Sequence, residues 1–134
     1  MRFALVALAL LAASCAAPAV DELRVARLSD LHTVPPLVAT VHDRATIDAL
    51  ASKIRSLPTA QLRFCPVDWG VRYDVDFRHE GVQILHAVAE AGGCKNITLG
   101  QGDTRTTDDA FWEMLERAVG YPVGDPSFFP TPLN

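Results

Sequence analysis

From Trp69 to Arg78 apolar and polar residues alternate without a break. Trp69, Val71, Tyr73, Val75 and Phe77 interleave with Gly70, Arg72, Asp74, Asp76 and Arg78. Side chains along a strand point to opposite faces in turn, so this segment carries one apolar and one charged face. Such a strand belongs in an antiparallel sheet with one side on a core and the other in water. The flanking residues extend the pattern. Arg78-His79-Glu80-Gly81 reads as a turn, with Gly81 able to take positive φ. Val82 to Ala89 is the returning strand, and Ala91-Gly92-Gly93 turns the chain again. Lys95 to Leu99 makes a third strand, closed by Gly100-Gln101-Gly102-Asp103.

Helical periods flank this meander. Leu37 to His42 is short and β-branched and reads as a strand. Asp43 is placed as an N-cap, its carboxylate able to accept from the free N–H groups of a first turn. Ile47, Leu50, Ile54 and Leu57 then recur at helical spacing over about 44–57, and Pro58 stops the helix. A second helix is predicted after Thr107 as N-cap. Asp108 and Asp109 stand at the positive end of its dipole, and Phe111, Met114, Leu115 and Ala118 form its stripe. Gly120 and Pro122 end it. The predicted fold class is α+β: an antiparallel β-meander sheet with two helices packed on one face and one disulfide.

The amino terminus predicts a compartment. Arg2 is followed by an apolar run from Phe3 to Ala13, too short to span a bilayer and of the length of a signal h-region. Ala12-Ala13-Ser14-Cys15 resembles a lipobox, with Ala12 where Leu is usual. Ala17-Pro18-Ala19 offers ordinary cleavage instead. The favoured reading is residues 1–14 as signal peptide and lipidation at Cys15, whose several acyl chains suffice for stable anchoring. Residues 15–36 are then a tether or lead-in, in which Leu23 to Leu28 is left open between a strand and a helical turn. Residues 37–120 form the domain, and 121–134, with four prolines, a C-terminal tail. Ordinary secretion is the alternative.

Composition excludes some partners. The formal charge of −4 includes Arg2, so loss of the signal leaves −5. No Lys/Arg cluster exists, which argues against nucleic acid and against electrostatic adhesion to anionic lipid. Membrane contact is expected through the lipid anchor only. Of three cysteines, processing takes Cys15 out of the redox count by acylation or loss. Cys65 and Cys94 remain as an even pair in an oxidising compartment and are predicted to be bonded. In the meander both lie at the same end of the sheet.

In combination, several motifs resemble a group of small secreted proteins and lipoproteins of bacteria, disulfide-stapled α+β domains of unknown function. They are Asp43 before a helix, Cys65-Pro66-x-Asp68-x-Gly70-x-x-Tyr73-x-x-x-Phe77, Gly93-Cys94-x-x-Ile97-x-Leu99, and Phe111-Trp112-x-x-Leu115. The resemblance spans about 38–120. It implies compartment, disulfide and fold, and it carries no activity, cofactor or catalytic residue.

Motifs of catalysis are missing from the sequence: no G-x-S-x-G elbow, no H-E-x-x-H helix and no P-loop. Two hairpin registers are open. With a bulge at Gly81, Phe77 pairs with Gln83, and His86 lies opposite Asp74 on the charged face. With a turn one residue tighter, His86 joins the apolar face, because a one-residue slip flips the strand. The bulged turn is preferred. A His86/Asp74 pair could then act as a base or hold a metal, so a small extracytoplasmic enzyme or metal-binding protein is the alternative function. The same register sets Val82, Ile84 and Val88 on the face away from the helices. With Trp112 they are the predicted contacts for an extracytoplasmic protein partner. The reading preferred from sequence is a non-catalytic protein-binding or inhibitor-like module of the cell envelope, with no catalytic residue, no metal ligand and no cofactor.

Overall fold

A computed structural model describes residues 19–131. The predicted signal peptide and the predicted lipidation site Cys15 lie outside the described residues, as do the last three residues of the tail. The described chain is α+β. Strand β1 (Glu22–Ser29) and β2 (Leu37–Val41) precede helix α1 (Arg44–Ser56). Then come β3 (Val71–His79), β4 (Val82–Glu90), β5 (Asn96–Leu99), β6 (Asp103–Thr106) and helix α2 (Asp109–Ala118). The strands form one antiparallel sheet in the order β2-β1-β3-β4-β5-β6.

The sheet is larger than the sequence pattern predicts, at both ends. The segment read as a tether supplies β1, which lies between β2 and β3 and pairs with both. Leu23 and Val25 of β1 are fully buried, so the core begins well before Leu37. A strand in the middle of a sheet gains ladder bonds on both sides, which outweighs the charged residues interrupting its pattern. At the other end, Asp103 to Thr106 continues past the predicted closing turn as β6, against β5.

The helices form where predicted. Asp43 caps α1, its Oδ2 accepting from the Thr46 N–H at 2.8 Å and from the Thr46 hydroxyl at 2.6 Å. These bonds hold the Asp43 carboxyl below its usual range. The N-cap of α2 is Asp108 rather than Thr107: its Oδ1 accepts from the Phe111 N–H at 2.9 Å. Lys53 of α1 reaches the same carboxylate at 2.6 Å and joins the helices. Thr107 instead donates its hydroxyl to the Lys95 carbonyl and accepts from the Trp112 indole N–H at 2.8 Å.

Ile47, Leu50 and Ile54 of α1 and Phe111 and Leu115 of α2 join the inward sheet residues in one cluster. Those are Leu23, Val25, Val71, Tyr73, Val75, Phe77, Ala87, Ala89 and Ile97. Burying each large apolar side chain contributes roughly 1.5–3 kcal/mol. Met114 and Ala118, predicted in the α2 stripe, are only partly buried; Trp112 and Glu116 are buried instead. The tail is not a loose appendage. Phe128 is fully buried against Tyr73, and the buried Arg27 guanidinium donates to the carbonyls of Ser127 and Pro35, at 2.7 and 2.8 Å. Glu116 accepts from the Gly124 N–H.

Candidate functional site

The segment between α1 and β3 is held at several points yet exposes its apolar side chains. Pro58 ends α1, and residues 58–60 run beside β6. The Ala60 N–H donates to the Thr104 carbonyl at 2.8 Å, and the Thr106 N–H to the Pro58 carbonyl at 2.9 Å. Arg105 extends from β6 and donates to the Arg55 carbonyl at 2.6 Å. Further along, Arg63 donates to the Cys94 carbonyl at 2.7 Å, and Cys65 is bonded to Cys94 with Cα atoms 4.9 Å apart. This is the predicted disulfide, and it points to an oxidising, extracytoplasmic location. The lead-in to β3 folds over the β4–β5 turn closely enough to bring the Cα atoms within bonding range.

Asp68 completes the bracing. Its Oδ1 accepts from the Gly70 N–H at 2.9 Å. A Cβ at Gly92 would stand 2.6 Å from that oxygen, so a larger residue there would have to displace the Asp68 side chain. Gly70 has φ +69°, and a Cβ on it would overlap the Asp30 carboxylate. Burial, reinforced by the Asp68 charge, pushes the neighbouring Glu90 carboxyl above its usual range.

Between these fixed points Leu62 and Phe64 are fully exposed, and Val67 and Trp69 are exposed as well. Four large apolar side chains within eight residues is an unusual surface for a small domain. Beside them lies a groove of about 300 Å³, lined by Val67, Trp69, Val71, Gly92, Lys95 and Phe129 among others. Lys95 sets its ammonium 5.0 Å from the centroid of the Phe129 ring, a cation–π contact at the groove wall. The arrangement suits capture of an apolar segment: a groove walled by Val67, Trp69 and Phe129, one cation, and the exposed Leu62 and Phe64 in the same stretch of chain.

The sequence-predicted residues are dispersed. His86 lies opposite Asp76, not Asp74, with Nδ1 2.6 Å from Oδ1. The hairpin takes the tighter turn, with Glu80 and Gly81 both at positive φ and His79 paired with Val82. The register then shifts: Arg78 pairs with Gln83 but Phe77 with Leu85, leaving Ile84 without a partner in the ladder. This bulge returns His86 to the charged face two positions from the expected aspartate. Among the described residues no group of three or more His, Cys, Asp or Glu side chains is placed to hold a metal ion.

The bulge also separates the predicted contact residues. Val88 stands opposite Asp74 on the open face, while Val82 and Ile84 are exposed at the turn end of the hairpin. Trp112 is not a surface residue. It is buried, with its ring edge-on to Tyr73, Phe111 and Phe129. A tryptophan beside a helix stripe becomes core here because the folded-back tail covers it.

Leu62, Phe64 and Val67 carry no periodic signal, so pattern reading passes over them. The available clue is apolar residues in a stretch without any period, just before a cysteine. None of the helices among the described residues is long and apolar enough to cross a membrane. Compared with family models, curated proteins and solved structures, the chain matches none.

Proposed function

We propose that this chain is a non-catalytic protein-binding module of the cell envelope, exported by its amino-terminal signal and anchored by lipid on Cys15. Its contact surface is the braced segment from Leu62 to Trp69 with the adjoining groove. The observation that carries this reading is the full exposure of Leu62 and Phe64 in a segment fixed by the Ala60 bond to Thr104 and by the Arg63 and Cys65 attachments to Cys94. A segment already ordered loses little conformational entropy on binding, and aromatic anchors supply most of the energy of an interface. The disulfide and the lipobox-like Ala12-Ala13-Ser14-Cys15 support the location.

The test is photo-crosslinking in intact cells from a probe at the exposed Val67, with a probe at the exposed Asp48 of α1 as control. One defined protein adduct from position 67 alone is expected, and Leu62→Asp with Phe64→Asp should remove it without changing the melting curve. Equal adducts from both positions, or survival of the adduct in the double variant, would overturn the reading. Intact-mass spectrometry of the membrane fraction tests the anchor: an acylated Cys15 terminus supports it, and an unmodified Val20 terminus means ordinary secretion.

A further inference from the structure

Asp21 follows Cys15 by six residues and is fastened to the β3–β4 turn. Its N–H donates to the Arg78 carbonyl at 3.0 Å, and its Oδ2 accepts from the Glu80 N–H at 2.9 Å. Just across that turn Val82, Ile84 and Leu85 are exposed, three large aliphatic side chains within four residues. The register shift gathers them: Val82 pairs with His79 and Leu85 with Phe77, and the extra residue Ile84 stands between. No aromatic residue and no arginine lies among Val82 to Leu85. Protein interfaces draw most of their energy from Trp, Tyr and Arg, over about 1,200 Å² or more of buried surface. A small aliphatic patch suits instead the boundary between lipid headgroups and acyl chains.

We propose that the tip of the β3–β4 hairpin docks on the lipid bilayer that holds the Cys15 acyl chains, with Val82, Ile84 and Leu85 entering its interface. This docking rests on acylation of Cys15. The length of chain between Cys15 and Asp21 is what selects the bilayer as the occupant. Six residues span at most about 20 Å when fully extended, so an acylated Cys15 keeps the hairpin tip that close to the membrane surface. β3 is nine residues long, which at the strand rise is about 30 Å. The tether is therefore shorter than the sheet. The tip stays at the membrane, while the far end at Val71, with the Cys65–Cys94 bond and the Leu62–Trp69 segment before it, is free to point away. An apolar patch tethered so closely meets lipid at high effective concentration, so a few aliphatic side chains are enough to dock it. Asp21, Glu22 and Glu80 share the tip end, so the contact is apolar and not an attraction to anionic headgroups. The result is a fixed orientation, with the hairpin tip on the membrane and the partner-binding segment held beyond it.

The test uses the full chain, exported with its own signal, purified and reconstituted into phosphatidylcholine vesicles. A photo-reactive probe replaces Val82 in one sample and Val67 in another. Both native side chains are 66% exposed, so the two positions match in exposure and differ in the end of the sheet they occupy. Lipid adducts from position 82 and not from position 67 are expected. Ile84→Asp should cut the yield at position 82 severalfold without changing the melting curve. Intact-mass spectrometry of the same protein separates the docking from the anchor. With Cys15 acylated, no lipid adduct from position 82, equal adducts from both positions, or an undiminished yield in Ile84→Asp would overturn the docking and leave the anchor standing. An unmodified terminus at Val20 would overturn both. A probe at position 82 that, in whole membranes, captures a protein in place of lipid would also overturn the docking.

Discussion

The rings of Tyr73 and Phe128 are stacked, with centroids 4.5 Å apart and 16° between their planes, and the Tyr73 hydroxyl donates to the Phe128 carbonyl at 2.5 Å. One contact thus joins the strand that anchors the sheet to a segment with no secondary structure of its own. Tyr121 and Phe129 close around Phe128.

Phe128→Ala should therefore destabilise the whole domain. A fully buried phenylalanine truncated to alanine costs about 3–5 kcal/mol. Urea unfolding of the variant checks it. A loss below about 1 kcal/mol, within the range of surface substitutions and minor repacking, would show that the tail is dispensable to the core.

Tyr73 predicts a limit at alkaline pH. Burial is the main cause that raises its phenol to about 12, opposed by the neighbouring Arg27. The folded value lies above the unfolded one, so the folded state holds the proton more tightly. Stability from this group is fully present below about pH 10 and is lost as pH rises through about 12. Tyr73→Phe should be less stable at neutral pH through loss of one buried hydrogen bond. It should also show a flatter decline between about pH 10 and 12, measured by denaturant midpoints.

Removing the disulfide should affect one region most. Cys65→Ser with Cys94→Ser is expected to lower stability by about 2–4 kcal/mol. Amide exchange should quicken chiefly between Ala60 and Gly70, the stretch that the bond braces. Uniform change across the sheet would mean that the bond supports the core rather than the binding segment.

At Asp108 the effect is acid-sensitive. The hydrogen bond from the Lys53 ammonium holds its carboxyl below the usual value of 3.8, opposed by burial and helped by the Phe111 N–H. A depressed folded value contributes stability above the unfolded pKa, and that contribution is lost as pH falls through the folded value. Asp108→Ala should cost about 1 kcal/mol at neutral pH as a lost cap. The difference from the unsubstituted chain should shrink below about pH 4, where the carboxylate becomes protonated.

What the sequence by itself determined is local. Val71, Tyr73, Val75 and Phe77 alternate because a half-buried strand needs that period, and Ile47, Leu50 and Ile54 repeat because a helix needs another. Asp43 caps because a short carboxylate reaches the first-turn N–H groups. The Cys65–Cys94 bond followed from parity in an oxidising compartment. Tertiary structure alone decided where weak patterns went. Leu23 and Val25 become core because β1 gains ladders on both sides, and Phe128 because Tyr73 leaves a ring-sized space for it. Trp112 is drawn inside by the same covering tail. His86 meets Asp76 because the extra residue Ile84 shifts the register, which no alternation can reveal. Leu62 and Phe64 stand exposed because attachments distant in sequence, at Cys94 and Thr104, hold the segment off the core.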